Sequence, residues 1–274
     1  MMKKLRTNGP SANMDGFSLL EISVVLVIIG LIYMIWSSAN PWINEEQLFE
    51  KTRSVLTETE EAIILFSRTN NRLPCPDTSA VANGLEGSGV SAGCAGTDVT
   101  GVIPWRSLLL ADQVLDAHSV PVNYTVYRNT TPDADLARVA ERIDIMDDVN
   151  HLNIVNSRIN ICDFCEALRN GTSAAASNTF ASVSTQITAG GCASGDYQNQ
   201  AFVLASSGFE NADGDGTNNL LDEENTTAPP TCYASPQPGR SRSYDDIVAA
   251  TSFVKLTGAV CRTPICLGPN TGSP

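Results

Sequence analysis

Gly16-Phe17-Ser18-Leu19-Leu20-Glu21 opens the stretch on which the reading of this chain turns, and the apolar run that follows it ends at Trp36. From Phe17 to Trp36 there are 20 residues and one charge, Glu21. At about 1.5 Å of rise per residue, a helix of that length covers roughly 30 Å, the hydrocarbon thickness of a bilayer. A carboxylate five residues into such a segment is costly, and residues of this kind are retained for a partner rather than for stability. Upstream, Lys3, Lys4 and Arg6 lie together. Under the positive-inside rule they predict a cytoplasmic N-terminus, so one span carries everything after it to the opposite side.

Composition narrows what that remainder does. Hydrophobic content of 42% with 17% charged residues is that of a globular chain, and 274 residues suffice for one substantial domain or two small ones. A formal net charge of -13 argues against nucleic acid as a partner, because phosphate binding needs basic patches. The eight cysteines, Cys75, Cys94, Cys162, Cys165, Cys192, Cys232, Cys261 and Cys266, all follow the apolar run. An even count on the oxidising side of a membrane favours disulfides over free thiols or zinc. The chain has two histidines, His118 and His151, and no HExxH, GxSxG or phosphate loop. The one feature that suggests an enzyme is the CxxC at Cys162-Asp163-Phe164-Cys165, and structural disulfides are the preferred reading of it. No enzyme is expected.

The opening hexapeptide resembles the prepilin peptidase site of type IV pilins and type II secretion pseudopilins. The resemblance implies that Gly16 ends a leader and that Phe17 becomes a methylated N-terminus. Glu21 is then the fifth mature residue, and Gly30 also matches a common glycine of that family. A helix of this type must leave the bilayer and pack among copies of itself. The Glu21 carboxylate would offset the amino group of Phe17 on a neighbouring subunit, which reduces the cost of burying both charges and sets axial register.

Past the apolar run, Pro41 cannot donate a backbone hydrogen bond and disfavours helix at Asn40, so a kink or local melting is expected near 37–41. Leu48, Val55, Leu56, Ala62, Ile63 and Phe66 then recur at helical spacing to a stop at Asn70-Asn71. This is the half of a stalk helix that packs on a body. Leu73-Pro74-Cys75-Pro76-Asp77 and Gly101-Val102-Ile103-Pro104-Trp105 resemble paired motifs of larger prepilin-type proteins. Trp105 and the prolines are expected to pack the corner from helix to sheet, and Cys75 with Cys94 could clip the loop between. Strands are expected over 120–128 and at Ala201-Phe202-Val203-Leu204-Ala205-Ser206, with a last strand at Phe253–Leu256. A helix is expected from Asp133-Ala134-Asp135 to about Arg142. Cys261 and Cys266 bracket a plausible small disulfide loop, and Cys162 or Cys165 pairs with another loop cysteine such as Cys192.

One further constellation carries chemistry. From Asn211 to Asp222, side-chain oxygens fall at positions 1, 3, 5 and 12 of a calcium-type loop: Asn211, Asp213, Asp215 and Asp222. Gly216 falls at position 6, Thr217 offers a carbonyl at position 7 and Asn219 stands at position 9. Aspartate replaces glutamate at position 12, and a strand precedes the loop, so this is a calcium-type loop outside an EF-hand. The competing reading is an acidic turn that is merely solvated. Pseudopilins and several minor pilins hold calcium in such a loop, and that resemblance makes Asp245 or Asp246 the residues that close the site.

The chain is thus expected to be α+β and pilin-like, a long N-terminal helix packed on an antiparallel sheet with large loops. Residues 1–16 form the leader, 17–40 the transmembrane and assembly helix, 41–72 the amphipathic half of the stalk, and 73–274 a head tied by disulfides and Ca²⁺. The resemblance implies a structural subunit, a minor pilin or pseudopilin of a type IV pilus or type II secretion filament. Its partners would be prepilin peptidase, other pilin or pseudopilin subunits and the inner membrane. It would cross that membrane once, with the head periplasmic or carried into an extracellular filament. Alternatives are a pilin-anchored adhesin or ligand-binding tip and, third, an anchored periplasmic thiol enzyme.

Overall fold

The structure is a computed structural model that describes residues 19–87, 98–140, 142, 159–184, 192, 195–208, 221–222, 225, 231–236 and 244–261, with backbone alone at 35–44. Gly16, Phe17, Cys94 and Cys266 lie outside these residues, as do His151 and the loop from Asn211 to Asn219. The chain divides into two units, Met1–Gln47 and Leu48–Pro274, and helix α1 (Leu19–Asn70) contributes to both.

In the first unit the helical backbone continues through Pro41, so the melting expected at 37–41 does not occur. Proline in a helix costs about 3 kcal/mol, yet it removes one donor only, and the turns on either side keep their own. Every large apolar side chain from Leu19 to Met34 is at least half exposed, from 50% at Val24 to 87% at Leu19. Among the described residues, no helix is long and apolar enough to cross a membrane. The expected span starts at Phe17, outside them, and runs into the segment whose side chains are not described.

In the second unit α1 buries the stripe Thr52, Leu56, Thr59, Ile63 and Ser67, at spacings of three and four. The expected apolar set is found here, with Leu56 and Ile63 at its centre and Val55 and Phe66 half-buried beside them. Polar residues alternate with them because each of these hydroxyls has a hydrogen-bond partner. Thr59 donates to the Val55 carbonyl at 2.7 Å, Ser67 to that of Ile64 at 2.7 Å, and Thr52 accepts from the Ala117 amide at 3.1 Å. The helix stops where Asn71 takes a φ of +54°, a left-handed cap that asparagine tolerates, and its amide returns to the Ser67 carbonyl at 3.0 Å.

Among the described residues seven strands follow: β1 (Thr100–Val102), β2 (Asn123–Val126), β3 (Ser182–Ser184), β4 (Tyr197–Asn199), β5 (Phe202–Ser206), β6 (Cys232–Tyr233) and β7 (Ile247–Thr251). Four of them form an antiparallel sheet in the order β1-β2-β5-β7. All of β5 is buried, as its unbroken apolar run predicts. The other three form a second sheet, β4-β3-β6, in which β3 and β6 run parallel. A single antiparallel sheet was the expectation. The parallel pair joins segments about fifty residues apart, a pairing that local pattern does not reveal.

The helices of the body correct two further expectations. Helix α3 (Phe253–Val260) stands where a last strand was expected, with Ser252 capping it by accepting the Lys255 amide at 3.2 Å. Phe253, Leu256 and Val260, spaced by three and four, face inward. The helix expected through Arg142 is instead a series of turns. The Arg142 guanidinium takes the carbonyls of Pro132, Asp135 and Arg138 at 2.7, 2.8 and 3.0 Å, oxygens that a helix would have spent on its own amides. Helix α2 (Ile161–Ser173) starts at the CxxC and carries a reciprocal capping box between Asn160 and Asp163.

Disulfides connect these parts. Cys165 pairs with Cys261, tying α2 to the end of α3, so the expected Cys261–Cys266 loop is not formed. Cys192 pairs with Cys232 and not with a cysteine of the CxxC. Cys75 and Cys162 are also disulfide-bonded. Between α2 and α3, Gly171 permits close contact: a Cβ there would lie 2.4 Å from the Phe253 ring. At the helix-to-sheet corner the two proline motifs pack together as expected. Gly84 lies under the Trp105 indole, the Tyr124 hydroxyl donates to the Pro74 carbonyl at 2.9 Å, and Asp77 bridges to Val102.

Ile63→Ala should destabilise the body by about 2–5 kcal/mol, as removal of a fully buried side chain does. Leu65→Ala, on the 61% exposed side of the same helix, should change stability by less than about 0.5 kcal/mol. Chemical denaturation of the two variants checks which face of α1 the core takes.

Candidate cation site

The site forms where the central strand ends and its neighbour begins. β5 and β7 pair from Phe202 opposite Thr251 to Ser206 opposite Ile247. Beyond that last pair, Ser207 and Gly208 leave the sheet beside the Tyr244-Asp245-Asp246 segment that leads into β7. Leu221-Asp222 and Asn225 close over it from the end of the expected calcium loop. Asp222, Asp245 and Asp246 are all buried, and each offers a carboxylate oxygen within 4.8 Å of the others.

The three aspartates are interlocked through backbone amides. Asp222 donates its amide to Asp246 Oδ2 at 2.9 Å, and Asp245 donates its amide to Asp222 Oδ2 at 2.9 Å. Asn225 organises the rest. Its Nδ2 donates to Asp246 Oδ2 at 2.6 Å and to the Tyr244 hydroxyl at 3.3 Å, while its Oδ1 accepts the Ala234 amide at 2.8 Å. Gly208, at a φ of +67°, is pressed against Asp245: a Cβ there would lie 2.4 Å from Asp245 Oδ1. Only glycine fits that approach.

Electrostatics set this cluster apart from the other buried carboxylates. Asp77 is met by the amides of Ser79, Asn83 and Gly84, Asp116 by those of His118 and Val120 and by the Ser206 hydroxyl, and Asp135 by Arg128. Each of those carboxylates is met by amides, a hydroxyl or a guanidinium. In the cluster, three carboxyls converge. Burial, opposed by the bonds from Asn225 and Asp222 and reinforced by the charges of Asp222 and Asp245, pushes Asp246 up to about 8. Burial likewise raises the Tyr244 hydroxyl. Asp246 Oδ1 is buried without a hydrogen-bond partner among the described residues. An orphaned carboxylate oxygen beside two further carboxylates is a donor set of hard oxygens, which fits a divalent cation such as Ca²⁺ or Mg²⁺.

The structure therefore brings together three residues that the sequence names, Asp222, Asp245 and Asp246. Asn211, Asp213, Asp215, Thr217 and Asn219 lie outside the described residues. Asn225 and Gly208 escaped the sequence reading. The short spacing of Asn225 from Asp222 was a usable signal for the first, whereas nothing local marks Gly208, because its role is set by Asp245, 37 residues away. Elsewhere, Glu21 lies in the first turn of α1. The His118 amide serves the Asp116 turn, and the CxxC cysteines are held in separate disulfides. No protein-family model, curated protein or solved structure matches this chain.

Gly208→Ala should destabilise the body by about 1–3 kcal/mol, from the left-handed φ together with the displaced Asp245 carboxylate. Denaturant midpoints for this variant and for Gly195→Ala test the contact. Gly195 shares a positive φ of +88° but has open space around its Cβ, so it carries the backbone strain alone.

Proposed function

We propose that this chain is a structural subunit of a type IV pilus or type II secretion filament, a minor pilin or pseudopilin inserted through its N-terminal helix. The observation that carries this reading is the first part of α1. From Leu19 to Met34 the helix carries a single charge, Glu21, and every large apolar side chain is at least half exposed. A helix of that character in water is unfavourable, and apolar surface of this extent calls for lipid or neighbouring helices. The prepilin-type stretch Gly16–Glu21 supplies the matching address. It gives a leader removed by prepilin peptidase, a single pass through the inner membrane with the N-terminus cytoplasmic, and a periplasmic head. Gly30 has nothing within 4 Å of its Cβ position, which leaves a small notch on the helix surface for a packed neighbour.

The head then serves as the displayed part. Its loops and disulfides suit a minor subunit, and they equally suit the second reading, a pilin-anchored adhesin or ligand-binding tip. The aspartate cluster holds Ca²⁺ in this proposal. Asp222, Asp245 and Asp246 are the described ligands, and the residues from Asn211 to Asn219 would complete the set. The cation would relieve the convergence of three carboxylates and fasten the end of the loop to the start of β7.

Two experiments test these proposals. Expressed with prepilin peptidase, the chain should yield a mature protein whose first residue is methylated Phe17, found by mass spectrometry of its N-terminal peptide. Glu21→Ala should be processed normally yet fail to enter filaments. A mature N-terminus elsewhere, or normal incorporation of the Glu21 variant, would count against the subunit reading. For the cation, Ca²⁺ at a hundredfold excess over its Kd should add about 2.7 kcal/mol of stability, which chelation removes. A melting temperature that ignores both Ca²⁺ and chelator would sink the calcium site.

A further inference from the structure

The aspartate cluster leaves one neighbouring group unexplained. Ser207 is 2% exposed, and its hydroxyl has no hydrogen-bond partner among the described residues. A buried hydroxyl without a partner is costly, so one expects something to meet it. Its position says what. The β5–β7 register ends at Ser206 opposite Ile247, and Ser207 is the next residue after β5. Gly208, one step on, lies against Asp245, where a Cβ would stand 2.4 Å from the carboxylate, so the two chains stay adjacent beyond the last pair. Ser207 is therefore held beside the Asp245-Asp246 segment, where Asp246 Oδ1 is likewise buried without a partner among the described residues. Ser206, by contrast, donates to Asp116 at 2.7 Å.

We infer that Ser207 is a neutral oxygen ligand of the cation held by Asp222, Asp245 and Asp246, aimed at the ion from β5. This rests on the calcium reading of the cluster. Its chemistry suits the site: Ca²⁺ accepts six to eight oxygens, and three carboxylates already exceed its charge, so a further donor is best uncharged. The arrangement also gives Gly208 a reason beyond space. It lets the chain turn out of β5 directly after the ligand, with no side chain pushing Asp245 away from the ion.

The test uses the full-length chain in detergent, with Ca²⁺ followed by calorimetry and Tb³⁺ by luminescence. Ser207→Ala should weaken Ca²⁺ binding about tenfold, and the water count on bound Tb³⁺, from lifetimes in H₂O and D₂O, should rise by about one as water takes the empty position. In chelator the same variant should melt at the wild-type temperature or above, because the change removes an unsatisfied buried hydroxyl. Unchanged Ca²⁺ affinity and water count in Ser207→Ala would overturn the assignment while leaving the cluster as a cation site. A lower melting temperature in chelator would make the hydroxyl a structural bond and overturn it too. If the wild-type chain takes up neither ion, the calcium reading itself fails, and the role of Ser207 fails with it.

Discussion

The strand β5 is the constraint on which the body depends. Phe202–Ser206 is buried throughout and is paired on both sides, by β2 and by β7. A strand with no solvent face has no freedom of register, since a slip of one residue would move every side chain to the other face. That fixed register positions what lies at its two ends. At its start, Phe202 meets the Tyr124 ring edge-on, with centroids 6.1 Å apart. At its finish, Ser206 and Gly208 are set against Asp116 and Asp245. The candidate site is the exit of this strand, and its geometry is inherited from the sheet.

Buried polar groups are numerous here, and their different treatment is informative. Most are satisfied locally. The Thr59 and Ser67 hydroxyls turn back on their own helix, Asp77 and Asp116 gather amides of their own turns, and Arg72 forms a buried bidentate pair with Glu86 that also receives the Cys75 amide. These bonds hold irregular chain in place where no ladder can, which is why long loops coexist with a packed interior. The Asp222–Asp245–Asp246 cluster behaves differently. It concentrates like charge out of water, and amide bonds offset only part of that cost, which is visible in the raised Asp246 carboxyl.

The second half of α1 is fastened by polar and apolar contacts together. Glu60 receives Lys255 at 2.5 Å and also the Thr251 hydroxyl, while Arg68 reaches the Ala259 carbonyl at 2.8 Å. The Lys255 and Ala259 contacts join α1 to α3, the element that replaced an expected strand. Phe253-Val254-Lys255-Leu256 has strand-like composition, but Ser252 in the capping position and the three-and-four spacing to Val260 were present in the same residues. The Asp133–Arg142 segment is the reverse case. Its helix signals were real, and a distant competitor, the guanidinium of Arg142 folded back on the turn carbonyls, took the oxygens that a helix needed.

Much was legible from the residues alone because it depends on neighbours in the chain. The apolar run at the head, the core stripe of α1 around Leu56 and Ile63, the stop at Asn70-Asn71 and the buried strand at 202–206 all follow from periodicity, capping and turn preference. The expectation that Asp245 or Asp246 joins Asp222 came instead from the resemblance to pilin-type proteins, not from local pattern. Tertiary structure alone decided the rest: the pairing of Cys165 with Cys261, the parallel contact of β3 with β6, and the pressing of Gly208 against Asp245. Each joins residues tens of positions apart. Local chemistry sets what a segment prefers, and only the closure of the chain into one packed core decides which preferences are met and which atoms are left facing one another.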